Sequence, residues 1–226
     1  MRMTWSRISW SRAFTVLCTV SSLALCNGAF AQACKPVSQR SGGPGELGCW
    51  IVSADSIGVL TQSPVFWHLD TYPTPAVAAA AKGPQGTVVE ALGKVWLFTT
   101  AEAGWQPAAG VRVAKIGPLE VEPGTKYTAR YMESVQKPGR AAGSPHRHSG
   151  PEASYTVSGE TCFETPEGKM LGRPGGDHVV IPAGRPMHFT PTGSETRRAL
   201  GLILYDSSKP SGSGATEWTP KGLCTG

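Results

Sequence analysis

The chain has 226 residues, of which only 16% are charged, and it contains 28 glycines and 19 prolines. Sparse charge and frequent turn-forming residues favour a compact, mainly β protein over a helical one. The formal net charge is +5, but lysine and arginine form no cluster that could follow a phosphate backbone, so we expect no nucleic-acid partner.

The beginning of the chain has the layout of a secretory signal peptide. Arginines at positions 2, 7 and 12 precede an apolar stretch from Ala13 to Leu25, and Ala29-Phe30-Ala31 supplies the small residues of a cleavage site. The apolar stretch is shorter than the ~20 residues that a spanning helix needs. We therefore expect residues 1–31 to be removed, leaving a periplasmic or secreted protein with no membrane partner.

The cysteines that remain after this cleavage are four in number, namely Cys34, Cys49, Cys162 and Cys224. An even number in an oxidising compartment predicts two disulfides, and all three connectivities stay open. No pair has the close CxxC-like spacing that is typical of a zinc site.

Residues 32–110 are predicted to form an α+β N-terminal lobe. Its strand candidates are short runs rich in β-branched and aromatic residues, namely Trp50–Ser53, Val65–Leu69, Thr87–Leu92 and Lys94–Thr99. One helix is predicted, with Thr74 as the N-cap, Pro75 at its first position and Gly83 just past its end. His68 is interpreted as a packed or half-exposed strand histidine rather than a ligand. A degenerate second barrel is the alternative for this lobe.

Residues 111–206 are predicted to form a β-barrel or jelly roll, because short strand signals are separated by glycine and proline. The candidates are Val111–Ile116, Tyr127–Met132, Ala153–Val157, Glu160–Glu164, His178–Pro182, Pro186–Thr190 and Arg198–Tyr205. Pro166-Glu167-Gly168 indicates a tight hairpin. Residues 207–226 are rich in serine, glycine and proline, and are predicted to be a tail in which Trp218 and Cys224 dock back.

The segment around His146-Arg147-His148 has the pattern of a metal site. On an extended backbone, residues i and i+2 share one face, so both imidazoles would project in parallel. The following Ser-Gly-Pro turn can bring Glu152 back beside them. Two histidines and one carboxylate leave coordination positions open, as catalytic metals require.

This segment resembles the first motif of the cupin superfamily, which reads G, five residues, HxH, three or four residues, E, six residues, G. The chain has His146-Arg147-His148, three residues, Glu152, six residues and then Gly159. The leading glycine is displaced by one position, because Arg140 stands in its place and Gly139 precedes it.

A second stretch resembles the second cupin motif, which reads G, five residues, PxG, two residues, H, three residues, N. Gly176 and Pro182-Ala183-Gly184 match it, but Met187 stands where the family has its third histidine, and His188 follows. Strand alternation directs Met187 inward and His188 outward. A bulge near Pro186 would turn His188 inward, and both arrangements stay open. The closing asparagine has no counterpart.

The resemblance covers residues 139–191 and implies a small-molecule ligand or substrate inside a barrel. It implies a divalent Mn, Fe, Ni, Zn or Cu ion, with His146, His148, Glu152 and His188 as candidate ligands. Met187, Tyr155 and Phe163 are candidate pocket-lining residues. The implied activity is that of a dioxygenase or isomerase; the alternative is a non-catalytic small-molecule or sugar-binding cupin with a degenerate metal site. A homodimer is expected by family analogy.

Overall fold

The structure is a computed structural model that describes residues 1, 34–139, 143–176 and 178–224. Apart from Met1, the predicted signal peptide lies outside these residues. Strands dominate the described part of the chain, and helix is confined to α1 (Pro75–Ala80) and a 3-10 turn (Val37–Gln39). The prediction of a mainly β fold is confirmed. Among the described residues, no helix is long and apolar enough to cross a membrane.

The strands follow one another with short connections through both halves of the chain. The first half contains β1 (Lys35–Pro36), β2 (Gly48–Leu60), β3 (Val65–Tyr72), β4 (Gly86–Ala91), β5 (Lys94–Ala101), β6 (Val111–Leu119) and β7 (Thr125–Gln136). The second half contains β8 (His146–His148), β9 (Glu152–Ser158), β10 (Glu160–Thr165), β11 (Gly168–Gly172), β12 (Val179–Ile181), β13 (His188–Thr192), β14 (Arg197–Asp206) and β15 (Gly212–Gly214).

Within the described residues, these strands pair into four sheets. The largest has six strands in the order β1-β2-β7-β14-β9-β12, and a four-stranded sheet has the order β4-β5-β3-β6. A three-stranded sheet has the order β11-β10-β13, and β15 pairs with β8. The layered arrangement is compatible with a jelly roll.

Two local predictions are confirmed by the backbone. The hydroxyl of Thr74 accepts a hydrogen bond from the amide of Val77 at 3.3 Å and caps α1, which ends at Ala80. The hairpin between β10 and β11 closes with Thr165 opposite Gly168, so its turn is the dipeptide Pro166-Glu167.

The main apolar core lies between the six-stranded and the four-stranded sheets. Tyr131 of β7 is fully buried there, with its ring 4.9 Å from that of Phe98 and 6.0 Å from that of Trp67. Complete burial of an aromatic side chain of this size contributes on the order of 1.5–3 kcal/mol. The core therefore covers one face of the six-stranded sheet, and the candidate site lies on the other face.

Strand pairing crosses the boundary that the sequence predicts at residue 110. β6 lies in the predicted barrel segment but pairs with β3 of the predicted lobe, with Trp67 opposite Ile116. β2 lies in the predicted lobe but pairs with β7, with Ile51 opposite Met132. Residues 32–110 and 111–206 are consequently interleaved, because each supplies strands to the other's sheet.

The other face of the six-stranded sheet is partly polar and lies against the three-stranded sheet. Arg197 is buried between them and donates hydrogen bonds to the hydroxyls of Thr161, Ser134 and Ser154. Its guanidinium carbon lies 4.5 Å from the centre of the Phe189 ring. This interior is therefore built around a buried cation rather than around apolar contacts alone.

The described cysteines form the disulfides Cys34–Cys49 and Cys162–Cys224, which selects one of the three predicted connectivities. The second joins β10 to the end of the tail. The carboxylate of Glu164 also accepts hydrogen bonds from the amides of Lys221 and Leu223. The predicted docking of Cys224 is confirmed, and the tail contributes a strand of its own.

Candidate metal centre

The HxH segment forms the three-residue strand β8, which is held along both edges. On one edge, the amide of His146 donates to the carbonyl of Met187 at 3.0 Å, and the amide of Met187 returns a bond at 2.8 Å. Further along, the amide of Gly184 donates to the carbonyl of His148 at 2.8 Å. On the other edge β15 pairs with β8, with Gly212 opposite His148. Both imidazoles therefore project from a fixed backbone.

The turn after His148 returns the chain to the six-stranded sheet. Gly150 is buried against β14, where a Cβ would overlap the carbonyl oxygen of Leu204. The amide of Leu204 donates to the carbonyl of Pro151 at 3.0 Å. Because only glycine permits this close approach, the next residue, Glu152, begins β9 directly beside His148.

The structure brings His146, His148 and Glu152 together. One potential ligand atom from each lies within 4.8 Å of the other two. The Nε2 atom of His148 is 3.2 Å from Oε2 of Glu152, and the two imidazole rings lie 5.1 Å apart. This spacing is close to what bonds of ~2 Å from three side chains to a single ion produce.

Backbone carbonyls orient both imidazoles. Nδ1 of His146 donates to the carbonyl of Ser144 at 3.0 Å, and Nδ1 of His148 donates to the carbonyl of Ser211 at 2.8 Å. A carbonyl oxygen only accepts, so each ring carries a proton on Nδ1, and in its neutral form it has its lone pair on Nε2. This is the arrangement that partners beyond the ligands impose on metal-binding histidines.

The charges in the group also suit a cation. Burial lowers the pKa of His146. Burial acts in the same direction on His148, but the adjacent carboxylate of Glu152 outweighs it and raises the pKa of His148. Oε2 of Glu152 is buried and accepts no hydrogen bond of normal geometry from the described residues. A first-row divalent metal would satisfy this oxygen, so the donor set fits such an ion.

Similarity to known proteins is limited to parts of solved structures. No protein-family model matches the sequence, and no curated protein matches it at a significant level. Among solved structures, a Cupin_2 domain of an XRE family transcriptional regulator from Enterobacter cloacae is 16% identical, with a TM-score of 0.29, and the overlap covers 35% of this chain and 80% of that chain.

Two enzymes are also among the similar structures. A DMSP lyase is 20% identical with a TM-score of 0.33, over 38% of this chain and 44% of that chain. Oxalate decarboxylase from Bacillus subtilis is 24% identical with a TM-score of 0.32, over 44% of this chain and 27% of that chain. The chain thus spans less than half the length of either enzyme, and the similarity transfers no activity to it.

Met187 and Phe163 lie in the apolar cluster next to the group. Met187 occupies the position of the third cupin histidine and is fully buried with Phe163 and Ile181. The main chain of Met187 bridges that of His146, so their side chains share one face of the pair. Ile181 pairs with Glu152, which places this cluster directly beside the carboxylate.

His188 and Tyr155 are not brought into the group. Nε2 of His188 contacts the carbonyl of Gly143 at 3.2 Å, which turns the imidazole away from the interior as strand alternation requires. Tyr155 lies three residues after Glu152 on β9 and therefore faces the opposite side, where its ring is 6.4 Å from that of Trp96. Tyr155 packs against the main core and does not line the interior that holds the metal group.

Three residues that hold the site were missed by the sequence analysis. Ser211 acts through its carbonyl, Gly212 through the absence of a side chain, and Gly184 through its amide. Backbone groups of this kind carry no sequence signal of their own, although the Pro182-Ala183-Gly184 motif marked the third. Nothing in the composition of the tail distinguished residues 211–212 from a solvated linker.

Proposed function

We propose that the protein is an exported, cupin-type metalloprotein that acts on a small molecule. The observation that carries this proposal is the convergence of His146, His148 and Glu152, with both Nδ1 atoms engaged by backbone carbonyls. Three protein ligands leave at least one position of a divalent ion for an exogenous molecule. When bound, such an ion supplies Lewis-acid or redox chemistry.

The residues of the chain have separate roles in this proposal. His146 and His148 present Nε2 lone pairs, while Glu152 supplies the negative charge that offsets part of the ion's charge. The buried cluster of Met187 and Phe163 excludes water from one side of the group. The candidates for the ion are Mn, Fe, Ni, Zn and Cu, and the activities proposed are those of a dioxygenase or an isomerase.

A non-catalytic binding cupin is the second candidate, and one observation favours it. Met187 stands at the position of the third cupin histidine, and the imidazole of the adjacent His188 is directed at the carbonyl of Gly143. A centre with fewer imidazole ligands binds metal less tightly, and the apolar cluster would then serve to enclose a ligand. The paired cysteines support the proposed periplasmic or secreted location. Homodimer formation stays a prediction.

Metal analysis of the purified mature protein tests the proposal. We expect close to one divalent ion per chain by elemental mass spectrometry, and loss of most of it in His148→Ala. The matched control is His188→Ala, which removes an imidazole outside the group and is expected to retain the ion. Equal losses in the two variants would make His188 a fourth ligand.

The identity of the ion separates the candidate activities. Stoichiometric iron or copper, together with dioxygen uptake in the presence of a substrate, supports an oxygenase. Zinc or manganese supports isomerase chemistry. A protein that purifies without metal and does not bind added Mn²⁺, Fe²⁺, Ni²⁺, Cu²⁺ or Zn²⁺ is the binding module instead.

A further inference from the structure

The C-terminal strand β15 and the residue before it lie against the side chain of His148 as well as pairing with its backbone. The carbonyl of Ser211, just before this strand, accepts the Nδ1 proton of His148 at 2.8 Å. This bond crosses 63 residues of sequence. One of the two imidazoles is thus oriented by its own neighbourhood, through Ser144, whereas the other is oriented by the end of the chain.

Gly212 leaves the space that the His148 imidazole occupies. A Cβ at this position would lie 2.8 Å from Nδ1 of His148 and 2.9 Å from the carbonyl oxygen of Arg147. Both distances are too short for a carbon atom, and both atoms belong to β8. Gly214, opposite His146 on the same strand, has no atom within 4 Å of its would-be Cβ. The close approach is therefore confined to the residue opposite His148.

Contacts on both sides of β15 fix its position against β8. The hydroxyl of Ser149 donates to the carbonyl of Pro210 at 2.7 Å, and the amide of Ala215 donates to the carbonyl of Pro145 at 3.1 Å. Ala215 is fully buried. Further along, the Cys162–Cys224 disulfide attaches the end of the tail to β10. The strand consequently has one register and one distance from His148.

We propose that β15 and the residue before it, Ser211, position the metal centre. Ser211 selects the tautomer of His148, and Gly212 sets the place of its ring. This inference rests on the proposed function in one respect, namely that the orientation of His148 serves metal binding. Ser211 and Gly212 both lie beside Nδ1 of His148, so they act through the imidazole rather than as ligands. The tail is thereby a functional part of the site rather than a linker.

The variants Gly212→Ala and Gly214→Ala of the full mature protein form a matched pair. Neither glycine has a positive φ and both are exposed, so alanine fits the backbone of the strand at both positions. We expect Gly212→Ala to weaken binding of Co²⁺, followed by its visible absorption, by ten- to a hundred-fold, as loss of a histidine-orienting partner does. Gly214→Ala should bind within about twofold of the wild type.

Nitrogen NMR of the metal-free proteins supplies a readout that does not depend on the ion. The ring shifts of His148 should report a proton on Nδ1 in the wild type and in Gly214→Ala, and a mixture of tautomers in Gly212→Ala. If the wild type binds no Co²⁺, the proposed function fails, but the tautomer shifts still test the positioning role.

Equal Co²⁺ affinities and identical ring shifts in the two glycine variants would overturn the inference. Circular dichroism checks that both variants fold. If Gly212→Ala does not fold, Ala215→Glu replaces it, because a side chain too large for this fully buried position displaces β15 from β8 without changing β8 itself. That variant is expected to show the same loss of affinity and the same tautomer mixture, and wild-type values in it would equally contradict the proposal.

Discussion

His68 shows what burial does to a titratable residue that has no part in the candidate site. It is fully buried on β3, where Nε2 donates to the carbonyl of Glu102 at 2.9 Å and the ring of Trp105 lies 5.1 Å away. Its Nδ1 has no hydrogen-bond partner among the described residues. Burial, aided by the nearby Arg112 and Lys115, lowers the pKa of His68 to about 4. The interpretation of His68 as a packed strand histidine agrees with this position.

The low pKa predicts that acid destabilises the fold through His68. Below pH ~6.5 the unfolded chain binds a proton that the folded chain does not, so the contribution is complete above that pH and is lost as pH falls towards 4. The loss over this range amounts to about 3 kcal/mol at most. Urea unfolding of wild type and His68→Gln at pH 7.5 and pH 5 measures it. We expect a clearly smaller pH dependence in the variant, and an equal fall in both proteins would show that His68 is not responsible.

At the scale of elements, the sequence predicted best what is decided locally. The cap at Thr74 and the Pro166-Glu167 turn follow from side-chain and backbone preferences within a few residues. For Met187 and His188 the sequence left two arrangements open, and the structure has the one that strand alternation gives. The HxH spacing likewise predicted the shared face of the two imidazoles, and the Ser-Gly-Pro turn predicted the return of Glu152.

What the sequence could not predict depends on contacts between distant segments. The pairing of β15 with β8 joins residues more than sixty positions apart, and a Gly-Ser-Gly strand has none of the apolar alternation that marks one. Tyr155 was predicted to line the pocket, but the alternation that places Glu152 inward places it outward. The main core on the outer face of the sheet, which accepts that tyrosine, is formed by strands that are distant in the sequence.

The turn between β8 and β9 gives a prediction at this scale. Alanine at Gly150 would place its Cβ on the carbonyl oxygen of Leu204, so either the turn or β14 must move. We expect Gly150→Ala to lower the free energy of unfolding by roughly 1–3 kcal/mol and to weaken metal binding, since Glu152 moves with the turn. Gly83→Ala is the control, because nothing lies within 4 Å of its would-be Cβ. A stable Gly150→Ala protein that binds metal normally would contradict the role assigned to this turn.

At the scale of the whole molecule, the position of the site depends on the interleaving of both halves of the chain. The six-stranded sheet that carries Glu152 is covered on its outer face by β3, β4, β5 and β6 through a common core. It also contains β2 from the first half. The residues of the metal group all come from the second half, yet the sheet that fixes them is completed and buried by the first.

The full chain should therefore unfold as one unit, and residues 111–226 should not form a stable barrel on their own. A fragment covering residues 111–226 retains the whole metal group but exposes Tyr131, Leu200 and Leu202, which are fully buried in the intact protein. It also lacks β2, which leaves β7 with an unpaired edge. We expect the fragment to aggregate or to remain unfolded by circular dichroism. In the full mature protein, urea unfolding followed by tryptophan fluorescence and by far-ultraviolet circular dichroism should give coincident midpoints. A soluble, folded fragment that binds metal with the affinity of the intact protein would show instead that residues 111–226 are an independent domain.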